Sequence, residues 1–266
     1  MLNMVLLGLV QGLTEFLPVS STAHLIFAEA FLKIPRPGIL LEAVLHLGTA
    51  LAAIIVFWDD VRRLVSGWLA VLSGRTMDAS TRAYGRVAWL ILLITGLTAA
   101  AGLTLETPLE QLFGSVRGTA VQLMLTGLLL LLVRERGART LLEATPSDAI
   151  AIGIAQAVAI VPGISRSAAT IAAGMWMGLR KDEAARLSFL AAIPAVAGAG
   201  IFGLKDFQLG EAMGYTPAQL VAGGAVALVS GAAAIRWLLG VLRRGRLTYF
   251  AIYCLAAGAA VLLVMR

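Results

Sequence analysis

Residues 11–24 read Gln11-Gly-Leu-Thr-Glu15-Phe-Leu-Pro18-Val-Ser20-Ser21-Thr22-Ala-His24. A carboxamide, a carboxylate, four hydroxyls and an imidazole surround a proline, all inside the first apolar stretch of a chain that is 59% hydrophobic. Proline removes a helical hydrogen bond, so this stretch reads as two short helices meeting at a break, too short on either side to cross a bilayer. Residues 146–179 repeat the pattern, broken at Val161-Pro162-Gly163-Ile164 and followed by Ser165-Arg166-Ser167-Ala-Ala-Thr170. Irregular backbone at membrane depth is tolerated only where it is buried in protein or lines a cavity. Two broken segments rich in polar groups therefore predict an interior site, and ionisable side chains inside a membrane point to function.

The rest of the 266 residues is a helical membrane protein by composition, with a mean hydropathy of +0.90. Apolar runs of spanning length lie at 39–58, 84–103, 117–134, 183–203, 217–240 and 247–265, which predicts six transmembrane helices in one membrane domain, 1–266. Their unalternated apolarity excludes barrel strands. The single cysteine, Cys254, cannot form an internal disulfide, and the absence of a Cys cluster argues against a zinc or iron–sulfur site. The net charge of +6 lies mostly in loops, where it sets topology, so no nucleic-acid partner is expected. No cleavable signal peptide is expected either, since the apolar start lacks a basic leader and is interrupted by Glu15 and Pro18.

Loop charge orients the spans. Arg62, Arg63, Arg75, Arg82 and Arg86 fall in a loop over 59–86, and Arg134, Arg136, Arg139, Arg243, Arg244 and Arg246 in two more. These should be cytoplasmic. The loops at 104–116 and 205–216 carry Glu106, Glu110, Asp206 and Glu211 and should be outside. Residues 1–33 then dip in from the outer side and 146–179 from the cytoplasmic side. This predicts an inverted-topology repeat, 1–134 and 146–265, each a re-entrant hairpin plus three spans. Gly8-Leu-Val-Gln11 and Gly153-Ile-Ala-Gln156 are the corresponding sequence likeness.

Gln11 and Glu15 share a helical face at i, i+4. Such a pair can hold a divalent cation through the carboxylate and a neutral carboxamide. Glu15 can equally act as a base, or only satisfy backbone freed at Pro18. Ser20 falls near the N-cap of the resumed helix. Ser21 and His24, at i, i+3, are the minimum pair for an activated nucleophile, although capping alone explains one of the hydroxyls. Gly163 allows a tight turn that aims the N–H groups of Ile164, Ser165 and Arg166 inward, beside a guanidinium, as an anion site. An Arg near the bilayer centre costs roughly 2.5–3.5 kcal/mol, so an anionic partner is expected, whether a ligand or Glu15. Thr170, one turn from Arg166, can reach the same ligand. His46, alone in a span, reads as a satisfied interior group. Glu29, Glu42 and Glu183 read as capping or interfacial groups, and Trp58, Trp89, Trp176 and Trp237 as interface anchors.

These motifs resemble those of the undecaprenyl-diphosphate phosphatase family of the bacitracin-resistance type. Its first motif is Glu or Gln, three residues, Glu, then the hydroxyl run and His. Its second is Pro-Gly-x-Ser-Arg-Ser-x-x-Thr. Both are matched in order and in full, with Gln11 where other members carry Glu, which leaves one carboxylate fewer for a metal. The resemblance covers the whole chain. It implies hydrolysis of undecaprenyl diphosphate in the bacterial plasma membrane at a site facing outward, activated by Mg²⁺ or Ca²⁺. The expected partners are that substrate and bilayer lipid, with a homodimer left open. On this reading Ser21 is the nucleophile and His24 its acid–base partner. Arg166 clamps the phosphates with the turn from Gly163 to Ser167. Glu15 binds the cation with Gln11 or orients His24, and Ser20, Thr22, Ser165, Ser167 and Thr170 assist substrate binding. A transporter or flippase of an anionic lipid or solute is the rival reading.

Overall fold

The computed structural model describes residues 1–34, 38–74, 78–104, 115–134, 137–205, 215–244 and 247–265. Among them the chain is helical: α1 Leu2–Glu15, α2 Ser21–Leu32, α3 Gly38–Val56, α4 Trp58–Leu72, α5 Ala79–Thr104, α6 Val116–Leu131, α7 Pro146–Val158, α8 Arg166–Trp176, α9 Lys181–Lys205, α10 Pro217–Arg244 and α11 Thr248–Val264. A short 3₁₀ turn, Leu141–Glu143, precedes α7.

Both broken segments form as the prolines require. α1 and α2 are joined through the break at residues 16–20, and α7 and α8 through 159–165. Among the described residues three helices, α5, α9 and α10, are long and apolar enough to cross a membrane. They correspond to the expected spans at 84–103, 183–203 and 217–240. The spans expected at 117–134 and 247–265 are helices of 16 and 17 residues. The acidic residues Glu106, Glu110, Asp206 and Glu211, and Arg75, Arg136 and Arg246, lie outside the described residues.

The reading of 59–86 as a loop is corrected. After α3 the chain bends by 85° and continues as α4. Arg62, Arg63 and Ser66 occupy its exposed side, while Leu64 and Gly67 are buried. Gly67 and Gly85 face each other so closely that a Cβ on Gly67 would lie 2.6 Å from the Gly85 nitrogen. Charge density marked the segment as a loop because it belongs to the polar face of an amphipathic helix.

Lipid tails are as apolar as leucine, so helices here associate by close packing of small residues rather than by hydrophobic segregation. α1 lies on α10 with Gly8 against the Gly223 carbonyl and Gly12 against Ala227, Ser230 and Gly231. Gly48 of α3 meets Gly224 of α10, and α6 meets α11 through Gly127 and Gly258. α7 packs against α5, where a Cβ on Gly153 would strike Leu97. The core beneath the first break is aromatic: Phe16 and Phe189 are fully buried, edge to face at 5.4 Å, with Phe57 beside them. Trp58, Trp89, Trp176 and Trp237 all face outward, as interface anchors should.

The mouth of the second broken pair is clasped by polar bonds. Arg139 grips Asp148 with both guanidinium nitrogens at 2.9 Å, and also reaches the Met177 and Glu143 carbonyls. Backbone bonds between Arg139 and residues Gly178 and Arg180 complete the clasp. Glu183 accepts from the Leu141 N–H, which gives it a capping role.

A Cβ added at Gly12 would lie 2.0 Å from Ser230 Oγ and 2.5 Å from the Ala227 carbonyl, whereas one at Gly96 meets nothing within 4 Å. Gly12→Val is therefore expected to cost at least the 1–3 kcal/mol typical of overpacking, about 1 kcal/mol at the very least. Gly96→Ala is expected to gain up to about 1 kcal/mol from helix propensity. Thermal denaturation of the detergent-purified variants checks this, and equal melting points would contradict the packing described.

Candidate active site

Ser20 begins the site. It is the N-cap of α2, its hydroxyl accepting from the Ala23 N–H at 3.3 Å, and its backbone holds φ 64°. A non-glycine residue in that region is strained by roughly 1–3 kcal/mol, a feature that clusters at functional sites. The strained turn swings Ser21 back over the end of α1. Ser21 Oγ then donates to Glu15 Oε2 at 2.5 Å.

Glu15 is the hub. Its Oε2 also accepts from Gln11 Nε2 at 3.0 Å, and its Oε1 is paired with Arg166 from the other broken segment. His46 of α3 brings Nδ1 within 3.8 Å of Oε1. Gln11 Nε2 also lies 3.0 Å from His46 Nδ1. An amide nitrogen only donates, so His46 Nδ1 accepts and the ring proton sits on Nε2. Glu15 and Gln11 are both buried, and the carboxylate is stable there because two donors and a cation bond it.

The second turn is built around Gly163, at φ +93°. A Cβ there would lie 2.6 Å from the Thr119 carbonyl, so only glycine fits. Thr126 of α6 fastens the turn, donating to the Gly163 carbonyl and accepting from the Ser165 N–H. Ser165 caps α8 through the Ala168 N–H. Arg166 follows at the helix start, one nitrogen on Glu15 and Nη1 buried without a partner among the described residues.

The two breaks touch directly: Ser167 donates to the Leu17 carbonyl at 2.8 Å. Thr170 is tied to the Arg166 carbonyl and to Ser188 of α9. Ser167 and Thr170 therefore stand behind the site and hold it, while Ser20, Ser21, Thr22, Ser165 and Arg166 line a cavity of about 320 Å³ with Glu15. His24 stands apart. Its Nδ1 meets the Ser20 carbonyl at 2.8 Å, its Nε2 meets Tyr253 at 2.7 Å, and the two rings stack. Glu15, rather than His24, faces the Ser21 hydroxyl.

Four cavity residues escaped the sequence reading: Glu42 and His46 on α3, Thr98 on α5 and Gln156 on α7. The sequence alone reads His46 as a satisfied interior group and Glu42 as a capping or interfacial one. Their i, i+4 spacing on one face of α3 was the available signal.

A cation held by Gln11 and Glu15 needs two oxygens aimed at one point. Gln11 turns its nitrogen to Glu15, both Glu15 oxygens already accept hydrogen bonds, and no cluster of three His, Cys, Asp or Glu occurs among the described residues. This donor set does not by itself fit a divalent ion.

Residues 4–260 match the model of the bacitracin resistance protein BacA family. The chain belongs to that family. It is 41% identical to the undecaprenyl-diphosphatase of Myxococcus xanthus, covering all of this chain and 89% of that protein. It is 36% identical to undecaprenyl-diphosphatase 1 of Shouchella clausii, covering 96% and 92%, and 40% identical to the undecaprenyl-diphosphatase of Salinibacter ruber, covering 95% of each.

If Glu15 is the group that handles the Ser21 proton, Glu15→Gln should lower kcat/KM by about 10²–10⁴-fold, the usual worth of a general base. His24→Gln, which loses the hydrogen bonds to Ser20 and Tyr253 and the stacking on Tyr253, should lose about tenfold. Steady-state kinetics on both variants decide it. The reverse ranking would return the proton to His24.

Proposed function

We propose that this chain is a membrane phosphatase that removes the terminal phosphate of undecaprenyl diphosphate. The products are undecaprenyl phosphate and inorganic phosphate. The reaction recycles the lipid carrier of cell-wall precursors and thereby confers bacitracin resistance. The observation that carries this reading is the 2.5 Å bond from Ser21 to a buried carboxylate that is itself paired with Arg166. A site that only bound an anion would have no use for a hydroxyl poised on a base.

The chemistry follows from these groups. Arg166 and the N–H groups at the start of α8 receive the phosphates and spread the charge of the transferring phosphoryl group. Ser21 Oγ attacks the terminal phosphorus as its proton passes to Glu15. The bond to the bridging oxygen breaks, and undecaprenyl phosphate leaves. Glu15 gives that proton up to the departing phosphate, then takes one from the water that attacks the phosphoserine and returns it to Ser21 Oγ as inorganic phosphate is released. Gln11, itself bonded to His46, holds Glu15 in place throughout. Any Mg²⁺ or Ca²⁺ would be carried by the diphosphate itself and would neutralise its charge; it is tested by a chelator titration against substrate concentration.

The site is proposed to open toward the outer face of the plasma membrane. Its wall is built from the starts of α3 and the ends of α5 and α9, the ends next to the acidic segments 104–116 and 205–216. The inverted repeat is likewise proposed. It is supported by matched packing: α1 on α10 and α7 on α5, with α3 on α9 and α6 on α11 crossing between the halves.

The direct test is phosphate release from undecaprenyl diphosphate by the purified protein. Wild type should turn over. Ser21→Ala should fall about a thousandfold while Ser20→Ala keeps most activity, and Arg166→Lys should fall about 10- to 100-fold because the planar fork is lost. Movement of the lipid without phosphate release would favour the flippase instead. For topology, an impermeant thiol reagent on intact cells, in a Cys254→Ala background, should label Ser115→Cys but not Ser73→Cys, Ser147→Cys or Lys181→Cys. Labelling of only one of the last two would make 146–179 a full crossing.

A further inference from the structure

Beyond Thr98 the polar cavity changes character. Thr98, Ile160, Ala195 and Ala199 also line a second cavity of about 370 Å³, which continues between α5 and α9 past Gly102 and Gly198. Pro194 belongs both to that cavity and to a third, of about 230 Å³, between α4, α5 and α9, bounded by Trp68, Ile91 and Leu190. The first two share a wall, and the third adjoins the second at Pro194; together they are called the trough.

Its walls beyond Thr98 are almost wholly apolar, with the Trp68 indole N–H at the far end the exception. Thr95 and Thr98 turn their hydroxyls back onto the Ile91 and Ile94 carbonyls, leaving methyl groups toward the trough. Pro194 has no N–H to give. Gln156 Nε2 bonds Thr98 at 2.8 Å, so the last polar contact marks the boundary between the two halves. The trough is open along one side, where Leu103, Leu92 and Val65 are exposed. A hydrocarbon chain can therefore enter laterally while its head reaches Arg166. Gly198 keeps the lobe next to the site clear: a Cβ there would meet no atom within 4 Å.

We propose that the seam between α5 and α9 is the subsite for the polyprenyl tail, and that the absent side chain of Gly198 sets the room for the isoprene units nearest the diphosphate. This rests on the phosphatase reading above. It commits to the substrate's own tail as occupant because the apolar cavity shares the wall of Thr98, Ile160, Ala195 and Ala199 with the cavity that holds Ser21 and Arg166.

Two measurements test it. In the first, kcat/KM is measured for undecaprenyl diphosphate and for methyl diphosphate, which has no isoprene unit. Gly198→Phe should lower the long-to-short ratio of kcat/KM about tenfold, carried by KM. An unchanged ratio, whether both values fall together or neither moves, overturns the proposal. The second uses the wild-type protein and so does not depend on the variant folding. A polyprenyl diphosphate bearing a diazirine on the isoprene unit nearest the diphosphate should crosslink to residues 95–103 and 194–199. Adducts confined to α10 or α11, or scattered as for bulk bilayer lipid, overturn it. Wild-type protein that cleaves neither substrate removes the phosphatase reading itself, whereas cleavage with adducts elsewhere removes only the tail subsite.

Discussion

The ion pair between Glu15 and Arg166 is the constraint on which the rest depends. The two residues lie 151 positions apart, on different broken segments, and the buried Glu15 charge depends on the half-buried guanidinium beside it. Removing one partner from such a pair strands the other at a cost of several kcal/mol. The pair therefore requires that both breaks reach the same depth, face each other and exclude lipid. The Gly-lined contact of α1 with α10 and the packing of α7 on α5 set the two segments at that meeting point. The bond from Ser167 to Leu17 fixes their register.

The same pair shapes reactivity. With Oε1 held by Arg166, Oε2 is left for Ser21, and a hydroxyl that would only cap a helix elsewhere becomes a nucleophile candidate. The unpartnered Nη1 of Arg166 keeps capacity for an anion. The scaffold supplies fixed dipoles and donors instead of mobile water, which is how phosphoryl transfer is best served. The polar chamber is small and ends sharply at the Thr98–Gln156 contact, so head and tail of an amphiphile are sorted by the walls alone.

Much of this was legible in the sequence because polar groups in an apolar chain have few uninteresting explanations. Pro18 and Pro162 located both breaks, and the motifs around them named Glu15, Ser21 and Arg166. The assignments that shifted depend on distance in space. His24 sits at helical spacing from Ser21, yet Tyr253, far along the chain, draws its ring away. His46 looked isolated because its partners Gln11 and Glu15 lie on another helix. Ser167 and Thr170 share a motif with Arg166, but helical geometry turns them to Leu17 and Ser188. α4 was hidden because its arginines look like a loop until its apolar side is seen against α5.

The central claim is that the meeting of the two breaks makes Ser21 a nucleophile. It is tested most directly by acid-quenching the wild-type protein during turnover of undecaprenyl diphosphate labelled in its terminal phosphate, then mapping the labelled peptide. The account predicts acid-stable label on Ser21 within the Ser20-Ser21-Thr22 run. Label on His24, or a rapid burst of product with no labelled protein, would contradict it.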